Sequence, residues 1–266
     1  MAMKMKRYLI ALDPGQKQDP AAIQIYKAMP EIVHPDPLIN QRAKVIYRDD
    51  LVMQYKLADK RYTYLADFVV GLMSRKSLSS ESVLVFDATG VGAAVKDMLH
   101  DRGVKDMIPI VYTAGGKESY VYRDEGDKRF QIGSGSSPFR LRTLDEIRVP
   151  KPDLVDAARM ELERKAIRIV PKIPYVEEFH TQMMEFRGKM NAKGYVSYNN
   201  SKEEIHDEWP NCFMMRSWVR VKFNADMYEE EGEYGANKDV VGLADLMGLT
   251  KPEWEDFEKD GGWRRR

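Results

Sequence analysis

One cysteine in 266 residues, Cys212, rules out an internal disulfide and a thiolate zinc cluster, as expected of a reducing compartment. Long apolar runs are missing as well. Tyr8-Leu9-Ile10-Ala11-Leu12 follows Lys4, Lys6 and Arg7, but Asp13 ends the run well short of a signal-peptide core or a membrane span. These residues predict a soluble, cytosolic protein with no membrane association. Net charge is absent too: 42 Lys and Arg face 42 Asp and Glu, whereas neutralising nucleic-acid phosphate needs clustered cations. The average hides an asymmetry. Residues 226–260 hold 12 acidic and 3 basic side chains, and three arginines close the chain, so residues 1–225 carry +6. That balance permits DNA binding without requiring it. No Gly-x-x-x-x-Gly-Lys-Ser/Thr loop occurs, which excludes a P-loop ATPase within these residues, and no internal repeat is found.

What is present is a chain with 43% hydrophobic residues, enough to bury a core in one or two domains. Residues 6–12 are rich in β-formers and end in the turn Asp13-Pro14-Gly15, which predicts a strand and a hairpin into a second strand at 21–28. A proline-rich loop over 30–37 separates that from a third strand near 44–51. Apolar Leu65, Phe68, Val69 and Leu72 then recur at helical spacing within 62–75. Residues 82–86 form a short continuous apolar run, the mark of a strand covered on both faces, and 92–102 reads as a helix. A strand at 106–112 follows. Residues 115–138 are polar and glycine-containing and predict an excursion hairpin or mobile loop, with β-like pieces at 120–122 and 130–132. Helices are expected at 153–165, 176–187 and 205–223, with a short strand at 195–198. Cys212, Phe213, Met214 and Trp218 form the expected buried stripe of the last helix. Three antiparallel strands, then helix, strand, helix and strand, give a mixed sheet with helices on its faces.

Three acids stand at telling places in this order. Asp13 ends the first strand and Asp87 ends the strand Val83-Leu84-Val85-Phe86, so the two carboxylates converge if those strands are neighbours. Asp207 falls in the first turn of the last helix, where free amides and the helix dipole favour a carboxylate. Two divalent cations about 3.5–4 Å apart need such oxygen ligands to activate water and stabilise a leaving oxygen. Each acid also has a plain structural reading: turn chemistry for Asp13, and helix capping for Asp87 and Asp207. Lys151, Arg159, Arg164 and Lys165 cluster on one helix and are candidates for tracking a DNA backbone, or simply a solvated face. His34, His100 and His180 stand alone. Gly90-Val91-Gly92 lacks the third small residue of a dinucleotide fingerprint, because Val95 takes that place. Asp13-Pro14-Gly15 is similar to a phosphate loop of sugar kinases and actin-like ATPases, but the nearest second glycine-rich loop, 133–137, reads as a linker.

From about residue 8 to about residue 221 the chain resembles the nuclease domain of the large terminase subunit of tailed bacteriophages, a member of the ribonuclease-H-like superfamily. The carriers are Ala11-Leu12-Asp13-Pro14-Gly15, Phe86-Asp87-Ala88-Thr89-Gly90-Val91-Gly92, Val149-Pro150-Lys151-Pro152-Asp153-Leu154 and His206-Asp207-Glu208. The resemblance implies an α/β, ribonuclease-H-like fold: a mixed five-stranded sheet, three antiparallel strands followed by parallel ones, flanked by helices on both faces. It implies a nuclease domain over residues 1–225 and an acidic, partly disordered tail over 226–266. It further implies that Asp13, Asp87 and Asp207 are the catalytic acids and hold two divalent metal ions, Mg2+ or Mn2+. Glu208, standing where the family has a second aspartate, is a further candidate ligand. The implied substrate is double-stranded DNA, cut to resolve concatemeric genomes during packaging in the host cytoplasm. The implied partners are a packaging ATPase domain, the small terminase subunit and the portal. Two rival readings are a Holliday-junction-resolvase-like nuclease and a non-catalytic docking module on the same fold.

Overall fold

The computed structural model describes residues 6–15, 19–33, 44–58, 60–124, 142–190, 196–200 and 205–223. The expected acidic tail over 226–266 lies outside the described residues, as does the β-like piece at 130–132. In chain order the elements begin with β1 (Tyr8–Asp13), β2 (Ala21–Val33), β3 (Lys44–Leu57), α1 (Tyr62–Met73), β4 (Ser82–Asp87), α2 (Val91–Asp101) and β5 (Met107–Thr113). They continue with β6 (Ser119–Asp124), β7 (Arg142–Pro150), α3 (Lys151–Glu163), β8 (Ile167–Ile169), α4 (Val176–Glu185), β9 (Phe186–Met190), β10 (Val196–Asn200) and α5 (Glu208–Phe223).

The sheet order is β6-β7-β5-β4-β1-β2-β3-β8. Its centre is the expected mixed arrangement: β1, β2 and β3 pair antiparallel, while β4 and β5 lie parallel to β1. Three further strands extend it. β7 was not expected, because Arg142-Thr143-Leu144-Asp145-Glu146 is poor in β-formers; it is held between parallel β5 and antiparallel β6. The expected β-like piece at 120–122 lies in β6, which pairs with β7 beyond the expected 115–138 excursion. β8 is a three-residue edge strand on β3, and β9 takes the end of the helix expected to run to 187. β9 and β10 form a separate two-stranded ribbon. Strand β2 continues through Pro30, expected in a loop. Past Ala28 it has left β1 behind and pairs with β3 alone, an edge in which proline is tolerated.

The pleat divides the core in two. Leu9, Ala11, Val83 and Val85 point to one face and pack with Ala157 of α3, Phe179 of α4 and Trp209, Phe213 and Trp218 of α5. Tyr8, Ile10, Leu12, Leu84 and Phe86 point to the other and pack with Leu65 and Val69 of α1 and Val95 and Leu99 of α2. Helices thus cover both faces, and β1, buried from end to end, and β4, buried up to its last residue, form the centre. The whole buried stripe expected on α5 is inside, and so is every residue from Glu208 to Arg220. No helix among the described residues is long and apolar enough to cross a membrane.

Gly92 fixes the seat of α2. Any Cβ at that position would be driven into the Asp87 carbonyl, because the first turn of α2 lies directly on the end of β4. Gly92→Ala is expected to destabilise the protein by about 1–3 kcal/mol, as overpacking does. A thermal melt checks this, and an unchanged Tm would show that α2 can shift at no cost.

Candidate metal centre

The register of the sheet sets up a row of residues on one face. Leu12 pairs with Phe86, so Asp13 and Asp87 come next in line on adjacent parallel strands, with strand axes about 4.8 Å apart. Asp13 pairs with Ala22 and Ala22 with Lys56, while Asp87 pairs with Ile110, so the row reads Ile110, Asp87, Asp13, Ala22, Lys56. Asp13 and Asp87 are in phase with Leu9, Ala11, Val83 and Val85 and therefore face α5.

Local turns hold both carboxylates. Gly15, at φ 66°, donates its amide to Asp13 Oδ1 at 3.0 Å; a Cβ there would lie 2.7 Å from the Pro20 carbonyl oxygen. The Thr89 amide donates to Asp87 Oδ1 at 2.7 Å, and Thr89 Oγ1 accepts from the Tyr112 amide at 2.8 Å, tying the turn to β5. Asn211 of α5 donates its Nδ2 to Asp13 Oδ2 at 2.9 Å, and its Oδ1 has no hydrogen-bond partner among the described residues. Asn211 was missed by the sequence reading. Its signal was its place four residues after Asp207, one helical turn along the same face.

Asp207 immediately precedes α5 rather than lying in its first turn as expected; its carbonyl accepts from the Asn211 amide at 3.0 Å. The Gln182 side chain accepts from the Trp209 amide and so takes part in capping this helix start. Asp207 Oδ2 stands 3.7 Å from the Lys151 ammonium. Glu208, the further candidate ligand, is buried and ion-pairs with Lys56 at 3.1 Å; Lys56 also bonds Glu178. Lys56 lies beyond the predicted end of the third strand.

Of the four candidate DNA-contacting cations, the structure brings Lys151 to the acids. Arg159 is exposed and pairs with Glu163 one turn along α3, while Arg164 and Lys165 follow the end of that helix. A helix of this length puts them about 20 Å from its start.

Burial is the main cause of the shifted acidities here, with charge crowding second. Burial pushes the Asp13 carboxyl up to about 7, and the neighbouring Asp87 and Asp207 charges add to the rise against the bonds from Gly15 and Asn211. Burial likewise raises Asp87 to about 6, with Thr89 and Lys151 pulling it down and Asp207 pushing it up. Among the described residues no three His, Cys, Asp or Glu side chains stand close enough together to hold a metal ion. The donors at hand are two adjacent buried carboxylates, Asp207 and the Asn211 amide oxygen. This oxygen-only set, crowded with negative charge, fits a hard divalent cation that keeps open positions for water or substrate.

The raised values set a pH dependence. The folded chain holds protons that the unfolded chain releases near pH 3.8, so metal-free stability is expected to fall as pH rises from about 4 to about 7, then level off. A divalent ion relieves the same repulsion. Added Mn2+ is therefore expected to raise Tm more at pH 8 than at pH 5.5, measured by melts with and without the ion. Equal shifts at both pH values would contradict binding at these acids.

No protein-family model matches the chain, and no curated protein matches it. Solved structures do. A mutant nuclease domain of the large terminase subunit of bacterial virus Sf6, with manganese and beta-thujaplicinol, is 12% identical; the match covers 81% of this chain and 89% of that one, with a TM-score of 0.48. The large terminase nuclease of thermophilic phage G20c with bound cobalt is 13% identical, covering 81% and 82%, at a TM-score of 0.47. The large terminase nuclease domain of Thermus phage P74-26 is 12% identical, covering 88% and 84%, at 0.46.

Proposed function

We propose that the chain is a metal-dependent endodeoxyribonuclease of the large-terminase type, which hydrolyses phosphodiester bonds of double-stranded DNA with two divalent ions, Mg2+ or Mn2+. The observation that carries this reading is the side-by-side placement of Asp13 and Asp87 on parallel strands, facing the start of α5, where Asp207 stands. Two buried acids with raised pKa values in a shared space are costly to keep unless a cation joins them.

In this reading Asp13 and Asp87 hold the ions and Asp207 completes the second position. When bound, the ions supply Lewis acidity and lower the pKa of an attacking water. The protein does the rest. Asn211 and the Gly15 amide fix the orientation of Asp13, and Thr89 fixes that of Asp87. Glu208 serves the frame, by its ion pair with Lys56, rather than the ions. The biological substrate is concatemeric viral DNA cut during packaging in the host cytoplasm, with a packaging ATPase domain, the small terminase subunit and the portal as partners.

The test is a gel assay on supercoiled plasmid. Linear and nicked products are expected with Mn2+ and none with excess chelator. Intact plasmid across Mg2+ and Mn2+ at pH 8 would end the nuclease reading.

A further inference from the structure

Lys151 is placed where helix energetics disfavour it. It opens α3, and a cation in the first turn of a helix opposes the macrodipole. What holds it there is the site itself. β7 delivers it, because Thr113 pairs with Pro150 at the ends of β5 and β7, and that puts the start of α3 beside the carboxyl end of the sheet. The ammonium lies 5.7 Å from the centre of the Tyr112 ring and 5.8 Å from that of Phe186, with Asp207 Oδ2 at 3.7 Å. It also draws down the Asp87 carboxyl, so it sits within electrostatic reach of both acids.

The contact with Asp207 is an ion pair too long for a hydrogen bond, and the ring contacts use the charge without using the N–H groups. Lys151 is 22% exposed, so its donors are open to a ligand arriving from solvent. Below it the Tyr112 hydroxyl is buried and has no hydrogen-bond partner among the described residues. A buried hydroxyl left unpaired costs about 1–3 kcal/mol, which a bound oxygen acceptor would remove.

Building on the nuclease reading above, we infer that Lys151 grips a non-bridging oxygen of the phosphodiester being cut, its ammonium held beside the Tyr112 and Phe186 rings. This separates Lys151 from Arg159, Arg164 and Lys165: it acts at the reacting phosphate and not along the flanking backbone. No bond to Lys151 is made or broken; it donates a charge-assisted hydrogen bond to an anionic oxygen.

Lys151→Met keeps most of the side-chain length and removes the charge, and Lys151→Gln is measured beside it in case one variant folds poorly. Each full-length variant is compared with wild type in plasmid cleavage over a Mn2+ series and in binding of a short duplex in Ca2+. Cleavage at saturating Mn2+ is expected to fall about 100-fold, the usual loss of one donor aimed at developing charge. The Mn2+ midpoint is not expected to rise, and the slope of log affinity against log salt is expected to shrink by about 0.9, one phosphate contact. Lys151→Arg, which returns the charge, should recover part of the rate. Cleavage within threefold of wild type, an unchanged salt slope, or a loss that excess Mn2+ repairs would each overturn the inference; the last would show that Lys151 merely steadies Asp207. The nuclease reading survives all three results, since wild type still cuts. A wild type that leaves plasmid intact overturns both.

Discussion

Replacing Asp87 or Asp13 by asparagine is expected to cut metal-dependent DNA cleavage by at least about 1,000-fold while leaving the fold in place, since each variant removes the charge of a proposed metal ligand. The structure explains why the variants should still fold. At Asp13 the new amide must accept from the Gly15 N–H with its oxygen, which turns its NH2 toward Asn211. Asn211 can answer by rotating its own amide, bringing its unpartnered Oδ1 to accept. At Asp87 the oxygen facing the Thr89 amide is kept. Removing either charge also removes repulsion between buried acids, so metal-free Tm at pH 8 should rise, and the Tm gain from Mn2+ should largely disappear. Both melts are read beside the plasmid assay. Full cleavage by either variant, or an undiminished response to Mn2+, would remove these acids from the mechanism.

The largest effect on stability is expected away from the proposed metal centre. Asp49 on β3 is 2% exposed, and its Oδ2 accepts from Arg216 Nε at 2.8 Å and Arg220 Nε at 2.7 Å. Arg216 Nη1 reaches Glu161 of α3 at 2.9 Å, and the Arg216 guanidinium lies over the Tyr26 ring. All four charged side chains are buried between sheet and helices. Asp49→Ala leaves two guanidinium groups inside with one carboxylate between them, and breaking a buried pair in this way costs about 3–5 kcal/mol. At about 2–4 °C per kcal/mol for a chain of this size, Tm should drop by roughly 10 °C. A drop under about 2 °C would mean that water reaches these arginines. Burial pushes the Asp49 carboxyl up, but Arg216 and Arg220 outweigh it and hold it below its ordinary 3.8. Its contribution is therefore present above that pH and is lost as pH falls through the lower folded value.

Much of this architecture was legible in the residues. The apolar runs of β1 and β4, the helical spacing of Leu65, Phe68, Val69 and Leu72, and the turn chemistry after Asp13 all work over a few residues, and those elements stand where the pattern put them. Strands that owe their existence to neighbours were not legible. β7 carries Asp145, Glu146 and Arg148 and forms because β5 and β6 offer it hydrogen bonds on both sides. Nothing in the local pattern marks Arg216 and Arg220 for burial. Only the packing of α3, β2 and β3 around α5 encloses them.

By itself the sequence determined which acids could meet: Asp13 and Asp87 each end a buried strand, and Asp207 stands at a helix start, because strand ends and helix starts are written in local pattern. Only the tertiary structure set Asp13 and Asp87 on adjacent strands and brought Asp207 within electrostatic reach of both. Parallel pairing of β1 with β4 and the docking of α5 join residues remote along the chain, and no local rule specifies such partners. The same non-local step brought Asn211, Tyr112 and Lys151 to the acids, and it turned Glu208 toward Lys56.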